Sequence, residues 1–324
     1  MPANVNAAAT SFAVPNFSGM LFAKGNAKTP FSTIIGARPK YTDHVEFATG
    51  QYYDVETGAQ PAISETASLT APAPVSVVRD QLTNVTQIFQ ATVAVSYGKM
   101  SNMGTMSGIN AAGQQPNPND ELTFQVARRM AKIAADMEYT FLNGVYAKAA
   151  SDAQANKSRG LVTAITTNVM PMNDAPLTYW NVAETMKLIH DQGGDTSNLI
   201  LGVDATTMLQ LNYDASKNGL TIVPGSRVEN GIAIDTVVTA LGKVGLVLLN
   251  NLPTGTAVIF DPAVISPVFM NVEGKGNFFL EELAKTGAGT SYMLFGQAGL
   301  DHGPEWLSAK ITGISTDLPS ALGN

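Results

Sequence analysis

The chain has 324 residues, of which 14 % are charged, and 19 basic against 26 acidic side chains give a formal net charge of −7. A typical soluble domain carries roughly 25 % charged residues, whereas the 45 % share of hydrophobic residues is ordinary and excludes a chain that is disordered by composition. The lack of cysteine excludes disulfides and thiolate metal sites, no apolar run reaches the roughly 18 residues of a membrane helix, and the first residues do not form a secretory signal.

The N-terminal segment, residues 1–37, is predicted to be an extended arm, because its apolar side chains follow neither a helical nor a strand period. Charge is unevenly divided along the chain. Residues 1–42 hold four basic residues and no acid, which leaves a balance of −11 for the remainder. A basic leader is typical of an arm that touches another subunit or a polyanion, and a poorly ordered terminus with a chance imbalance is the alternative.

The next segment, residues 38–80, predicts a long two-stranded excursion with little core of its own, because turn signals such as Thr49-Gly50 separate short alternating stretches. Apolar and polar residues then alternate over 84–97, which predicts a strand with one buried face. Glycines interrupt residues 98–118, which we expect to form a flexible connector.

The clearest helix is predicted over about 120–148, where acidic residues open the first turn and apolar residues recur every three to four positions. The apolar stripe consists of Leu122, Val126, Met130, Ile133, Met137 and Phe141. The basic residues Arg128, Arg129 and Lys132 lie off this stripe. They belong either to a solvated face or to a contact with another chain or with nucleic acid.

The second half of the chain alternates strands and helices before it becomes rich in strands. We expect, in chain order, a strand over 161–165, a helix from Thr178 to about Gln192, a buried strand over 199–203 and a helix from Asp204 to about Asp214. Later strands are predicted over 231–239, 244–250 and 256–261, as a hairpin of 277–283 with 290–300, and over 306–314.

Catalytic and cofactor-binding motifs are absent from the sequence, including the phosphate-binding loop, the nucleophile elbow and the zinc-protease helix. The three histidines, His44, His190 and His302, are far apart in sequence, and we expect each to be structural. Glu281 and Glu282 adjoin on a strand and so point to opposite faces. Low charge, outward-reaching elements and missing chemistry together predict an assembly subunit without enzymatic activity, cofactor or metal.

Several segments follow one another in a recognisable order along nearly the whole chain. They are Val14–Phe22, Lys28–Phe31, Asn84–Tyr97, Glu121–Gln125, Asp136–Phe141, Asn156–Leu161, Leu283–Gly287 and His302-Gly303. In this order they resemble the major capsid proteins of tailed double-stranded DNA bacteriophages, in particular the major head proteins of the short-tailed-phage group. The resemblance implies an α+β chain with the tailed-phage capsid fold of the Hong Kong ninety-seven type.

The resemblance also implies a division of the chain. It gives an N-terminal arm (1–37), an extended loop across an adjacent subunit (38–80), a peripheral domain with a spine helix (81–166 and 268–316), an axial domain (167–267) and a C-terminal tail (317–324). Copies of the chain would form the pentamers and hexamers of an icosahedral head around double-stranded DNA. The alternative is an encapsulin-like nanocompartment shell around a cargo enzyme.

Contacts with neighbouring subunits or with the inner face of the shell are implied for a set of aromatic and basic residues. The set is Phe17, Phe22, Lys24, Lys28, Lys40, Tyr52, Tyr53, Arg128, Arg129 and Lys132. Lys40 is the only lysine of the extended loop, but no asparagine can be assigned as its partner for a crosslink between subunits.

Partners implied by the resemblance are a portal protein and a scaffold, with decoration proteins left open. Because the sequence opens almost at the arm, we expect the scaffold to come from another protein or from a piece not represented in this chain. The arm would come near packaged DNA without sequence specificity, and no membrane is involved. The protein would assemble in the host cytoplasm and remain in the virion.

Overall fold

The fold combines helices with two larger sheets and one two-stranded sheet, which confirms the predicted α+β class. The computed structural model describes residues 29–53, 58, 60–71, 73–74, 76, 79–98, 121–218, 222–230 and 232–318. Its helices are α1 (Pro30–Ile35), α2 (Glu65–Ser68), α3 (Glu121–Asn143), α4 (Leu161–Ala164), α5 (Tyr179–Asp191) and α6 (Ala205–Asn218). Its strands are β1 (Lys40–Thr42), β2 (Glu46–Tyr53), β3 (Arg79–Val85), β4 (Gln87–Ser96), β5 (Val169–Ala175), β6 (Ile200–Val203), β7 (Ile222–Glu229), β8 (Ile232–Thr239), β9 (Gly242–Leu248), β10 (Thr256–Phe260), β11 (Ser266–Met270), β12 (Phe278–Glu282), β13 (Gly289–Asp301) and β14 (Ala309–Ile314).

The larger sheet has seven strands in the order β5-β14-β10-β6-β9-β8-β7. Side chains alternate between its two faces. On β10, Ala257 and Ile259 join a cluster with residues of α5 and α6. Val258 and Phe260 join the cluster on the opposite face, with residues of α1 and α3. The sheet is therefore the middle layer of the molecule, which explains why β6 and β10 are buried along their whole length.

The five-stranded sheet is organised around the long strand β13. Strand β4 pairs with one edge of β13, whereas β12 and β11 pair with the other edge and β1 lies beyond β11. The predicted alternation of the strand over 84–97 is confirmed on β4, where Phe89, Val93 and Val95 are buried and their neighbours are exposed. The buried face packs against α3 through Ile133 and Phe141.

One hydrophobic cluster joins the two large sheets. It contains residues of α1, α3, β4 and β13 together with Ile200, Val258 and Phe260 of the seven-stranded sheet. Within it the rings of Phe31 and Phe260 meet edge to face, with centroids 5.2 Å apart. Because the two sheets share this cluster, burial of α1 contributes to the stability of both.

Local signals predicted several elements well. Thr178 caps α5 in a capping box with Asn181, as its sequence position predicts. Asp204 accepts a hydrogen bond of 2.9 Å from the backbone N–H of Thr207 at the start of α6. The predicted hairpin is present as β12 and β13.

Other local predictions are wrong. Residues 161–164 form helix α4 rather than a strand, since a short buried apolar run carries no period that separates the two. Residues 30–35, expected to be extended, form α1. Strands β5, β7 and β11 were not predicted. Met130, placed on the core stripe of α3, is 43 % exposed.

Helix α3 ends at Asn143, earlier than predicted, because the following backbone crosses another segment at close range. A Cβ atom on Gly144 would lie 2.2 Å from the carbonyl oxygen of Ser158. The amide of Gly160 donates to the carbonyl of Gly144 at 2.8 Å. The helical path and this crossing are incompatible, so the chain leaves the helix at this point.

The pairing of the last strand differs from the expected division of the chain into domains. Strand β14 pairs with β10 and β5 and so belongs to the seven-stranded sheet, although the division puts residues 309–314 with the peripheral segments. The strand expected over 84–97 is also interrupted. At Thr86 the pairing changes from β2 with β3 to β4 with β13.

Candidate functional site

The two-stranded ribbon formed by β2 and β3 is fixed to the five-stranded sheet by Asp301, at the end of β13. This carboxylate accepts hydrogen bonds from Thr49 Oγ1 at 2.7 Å and from the amide of Gly303 at 3.0 Å, and Lys40 Nζ lies 2.5 Å from its Oδ2. Asp301 and Thr49 are 7 % and 1 % exposed. We call Asp301, Lys40, Thr49 and Gly303 the ribbon anchor.

A close approach of two glycines sets the direction in which the ribbon leaves the anchor. Gly50 and Gly303 adopt φ values of +63° and +62°, which residues other than glycine rarely adopt. A Cβ atom on Gly50 would lie 2.9 Å from the carbonyl oxygen of Gly303. The pairing of β2 with β3 also shifts register between Thr49 and Gln51. The ribbon therefore bends at a bulge held by the anchor.

Beyond the ribbon, the described part of residues 58–71 contributes no buried side chain to the subunit. Helix α2 is one turn long and none of its residues is buried. Ile63 and Leu69, on either side of it, are 68 % and 85 % exposed. The described part of residues 58–71 therefore lacks a core, which agrees with the prediction of an excursion with little core of its own.

A groove of about 580 Å³ lies beside the base of the ribbon, between the start of β4 and the loop at 148–157. Glu46 and Lys148 form an ion pair of 2.5 Å along it, and the lysine holds the pKa of Glu46 below its ordinary value. Both side chains are well exposed, so this pair adds little to stability.

The chain that leads out of the N-terminal segment is held by a buried carboxylate on α3. Glu138, 1 % exposed, accepts hydrogen bonds from the amides of Phe31 and Ser32 at 3.0 and 2.6 Å and from Ser32 Oγ at 2.5 Å. It thereby satisfies amides of the first turn of α1, which have no partner within the helix. Burial raises the pKa of Glu138, and the hydrogen bonds from Ser32 and Phe31 oppose that shift.

The residues implied as contacts do not form one site. Lys40 lies at the ribbon anchor. Tyr52 and Tyr53 lie in β2, where they are the partners of Asp80 and Arg79. The remaining aromatic and basic residues of the arm, namely Phe17, Phe22, Lys24 and Lys28, lie outside the described residues.

The basic residues of α3 lie away from the anchor. Arg129 and Lys132 are exposed and Arg128 is partly buried. Lys132 pairs with Asp136 one turn later, at 2.5 Å. Exposure in a single subunit fits both a solvated face and a contact surface, so the two interpretations of these three residues stay hypotheses.

Catalytic geometry is not found among the described residues. His44 is exposed, His190 lies in the last turn of α5, and His302 is buried beside the anchor. No group of three or more His, Asp or Glu side chains in the described ranges could hold a metal ion. No helix in that part of the chain is long and apolar enough to cross a membrane.

Sequence reasoning singled out neither of two buried carboxylates, Asp301 and Glu138. Each joins segments far apart in sequence, since Glu138 binds residues 106 and 107 positions away and Asp301 binds Thr49 across 252 positions.

Comparison with protein families gives one match over nearly the whole chain. The family model described as SU10 major capsid protein matches residues 4–315. No curated protein matches the chain.

Solved structures with this fold come from phage capsids and from an encapsulin. The capsid of cyanophage A-1(L) has a TM-score of 0.60 at 9 % identity, covering 89 % of this chain and 93 % of that one. The SrpI encapsulin of Synechococcus elongatus has a TM-score of 0.59 at 10 % identity, with 95 % and 98 % covered. A structure from Mycobacterium phage Patience has a TM-score of 0.56 at 9 % sequence identity, covering 88 % of this chain and 83 % of that one. At these identities the structures establish the fold and do not separate the two kinds of shell.

Proposed function

The chain belongs to the SU10 major capsid protein family, and from that premise we propose how its surfaces build a shell. It is a major capsid protein of a tailed phage, a virion component with a structural role, and it is not an enzyme. The observation that carries this conclusion is the family match over residues 4–315, which includes the ribbon, α3 and both large sheets. The fold is the tailed-phage capsid fold.

Assembly into pentamers and hexamers of a closed icosahedral head around double-stranded DNA is the function that we assign to these surfaces. Only 14 % of the residues are charged, which suits a subunit whose surface is covered by copies of itself. Closed shells require interfaces that repeat with rotational symmetry, so elements that project from one subunit must meet a complementary surface on the next.

The extended loop is the projecting element that we assign to a neighbouring subunit. Its base is rigid, because the ribbon anchor joins it to β13 through buried hydrogen bonds. Its described outer part exposes Ile63 and Leu69. A neighbour that covers these side chains gains about 25 cal/mol for each Å² of apolar surface removed from water. A stiff base combined with an uncovered apolar end is the arrangement that such a contact requires.

For the domains we propose the division that the resemblance implies, except that residues 309–314 move from the peripheral to the axial domain. We assign residues 1–37 to the arm, 38–80 to the extended loop, 81–166 and 268–316 to the peripheral domain, 167–267 to the axial domain and 317–324 to the tail. Because β14 pairs with β5 and β10, we group 309–314 with the axial sheet. Helix α1 then connects the arm to the cluster that both sheets share.

Lys24, Lys28, Arg128, Arg129 and Lys132 are assigned to the inner face, near packaged DNA. Their positive charge would attract phosphate groups without reading the base sequence. Scaffolding and portal proteins are the further partners that a head requires, and assembly is assigned to the host cytoplasm.

The extended-loop assignment is tested by shortening the loop. Tyr53 and Arg79 are direct partners at the end of the ribbon, so residues 54–78 can be replaced by an Asn-Gly turn that closes the hairpin. This change keeps the ribbon anchor intact. We expect a folded subunit, checked by circular dichroism and urea unfolding, that no longer forms shells in electron micrographs.

The matched control is Gly58→Ala, because no atom lies within 4 Å of the added methyl group and the loop keeps its length. It should assemble as the wild type does. Normal shells from the shortened chain would show that the loop does not join subunits. An unfolded shortened chain would show that the loop is part of the subunit core.

An encapsulin-like shell is the second candidate, favoured by the similarity to the SrpI encapsulin over 95 % of this chain. The contents of purified particles separate the two functions. A phage head carries nuclease-protected double-stranded DNA, whereas a nanocompartment carries a co-purifying enzyme and no genome.

A further inference from the structure

His302 is a buried titratable group that the capsid function does not use. Its side chain follows Asp301 and precedes Gly303, two members of the ribbon anchor, and the residue is 1 % exposed. Its Nδ1 lies 2.8 Å from the carbonyl oxygen of Gly303. Its Nε2 is buried and has no hydrogen-bond partner among the described residues.

The protonation state follows from the partners of the ring. A carbonyl oxygen only accepts, so Nδ1 carries the hydrogen and donates it. Nε2 then holds a lone pair in the neutral ring. Protonation would add an N–H group at Nε2 that is buried without an acceptor, a costly arrangement.

Charged groups around the ring act in both directions, and burial has the larger effect on the pKa of His302. Arg159, in the loop before α4, repels an imidazolium, whereas Asp301 and Glu305 attract it. Both carboxylates are already engaged, Asp301 within the ribbon anchor and Glu305 with Thr166 and Thr167. Lys40 at Asp301 adds a further positive charge. From the neighbouring 261–265 turn, Val264 contacts Gly303 and Arg38 bonds Ala263.

We propose that His302 makes the ribbon anchor sensitive to mild acid, so that protonation of the ring opens the anchor and releases the ribbon from the five-stranded sheet. The ring is bonded through Nδ1 to the carbonyl oxygen of Gly303, so its displacement removes a contact of the backbone that carries the anchor. One side of that backbone carries the carboxylate that holds Lys40 and Thr49, and the other carries the glycine against Gly50. These contacts orient the ribbon together with the hydrogen bond of 2.7 Å that Asn84 Nδ2 donates to the carbonyl oxygen of Leu300, so acid would change the orientation of the extended loop.

The direction of the effect follows from proton binding. Burial lowers the pKa of His302, whereas the ring in an opened anchor has the ordinary value of about 6.5. The open form therefore binds more protons below that pH. The closed anchor is fully favoured above about pH 6.5, and its population relative to the open form falls by up to about tenfold for each pH unit below.

Hydrogen exchange of the full-length, unassembled chain tests this proposal, because the sequence has only three histidines. The wild type, His302→Asn and His190→Asn are compared at pH 7.5, 6.5 and 5.5, using peptides over residues 46–50 and 299–304. Asparagine keeps a donor near the Nδ1 position and does not titrate. Each measured exchange rate is divided by the intrinsic rate at the same pH to give the opening equilibrium constant. In the wild type we expect this constant to rise up to about tenfold for each pH unit below 6.5.

His302→Asn should show no such rise, and His190→Asn, altered at a side chain that is 66 % exposed, should follow the wild type. An equal rise in wild type and His302→Asn would overturn the proposal, since carboxylates common to both would then cause it. If His302→Asn does not fold, the pKa of the His302 ring is measured instead from the imidazole NMR signals of the wild type. A His302 ring that titrates at or above 6.5 overturns the proposal, and one that stays neutral well below supports it.

Discussion

Replacing Asp301 by alanine should reveal which contacts hold the ribbon. The variant leaves the Thr49 hydroxyl and the Gly303 amide without an acceptor, and Thr49 is only 1 % exposed. Each buried donor left unpaired costs about 1–3 kcal/mol. Lys40 also loses its partner, but its side chain is 55 % exposed, so water can hydrate the ammonium group and this loss adds little. We expect the free energy of unfolding to fall by about 2–6 kcal/mol, most of it from the loss of the two buried hydrogen bonds.

Urea unfolding of the unassembled chain measures this loss as a lower midpoint at unchanged slope. Lys40→Met is the matched control, because it removes the ion pair and leaves both buried hydrogen bonds in place. Its free energy of unfolding should fall by less than that of Asp301→Ala, because the carboxylate loses its counter-charge but keeps both buried hydrogen bonds. Equal losses in the two variants would refute this reasoning, since the ion pair alone would then hold the ribbon.

Three further variants test the packing of the subunit. Gly144→Ala should lower the free energy of unfolding, measured in urea, by about 3 kcal/mol or more, because its methyl group would lie 2.2 and 2.5 Å from carbonyl oxygens. Gly58→Ala is the control, and equal losses in the two variants would contradict the backbone crossing at Gly144. Phe31→Ala should cost about 3–5 kcal/mol, since the ring is fully buried against Phe260, and a loss below about 1 kcal/mol would mean that α1 is not docked. The raised pKa of Glu138 means that the folded state binds a proton at this group more tightly than the unfolded state, so the contribution of Glu138 to stability falls as pH rises above 4.5. Glu138→Gln removes that loss, and its unfolding free energy relative to the wild type should increase from pH 4.5 to 7, whereas a constant difference would contradict the shift.

Short-range signals carried the correct predictions from sequence. Thr178 caps its helix through Asn181, three residues away, and the alternation on β4 reflects one buried face. Such patterns involve residues that are neighbours on one helix turn or one strand, so their spacing alone indicates the structure. The α+β class came from the family resemblance and not from these local patterns.

Long-range contacts could not be predicted in this way. The anchoring of α1 by Glu138 joins residues more than a hundred positions apart, and the end of α3 depends on a crossing with Ser158 and Gly160. The pairing of β14 with β5 and β10 is likewise invisible to periodicity. The resemblance of ordered segments identified the family, but it did not single out Asp301 as the residue that fixes the ribbon.

Assembly into a closed shell can be observed by cryo-electron microscopy of particles formed by the full-length chain, expressed with and without a scaffolding protein. We expect closed icosahedral shells of pentamers and hexamers, with the segment between Tyr53 and Arg79 of one subunit in contact with the next subunit. Monomers under every condition, or open sheets and filaments without closed shells, would contradict it.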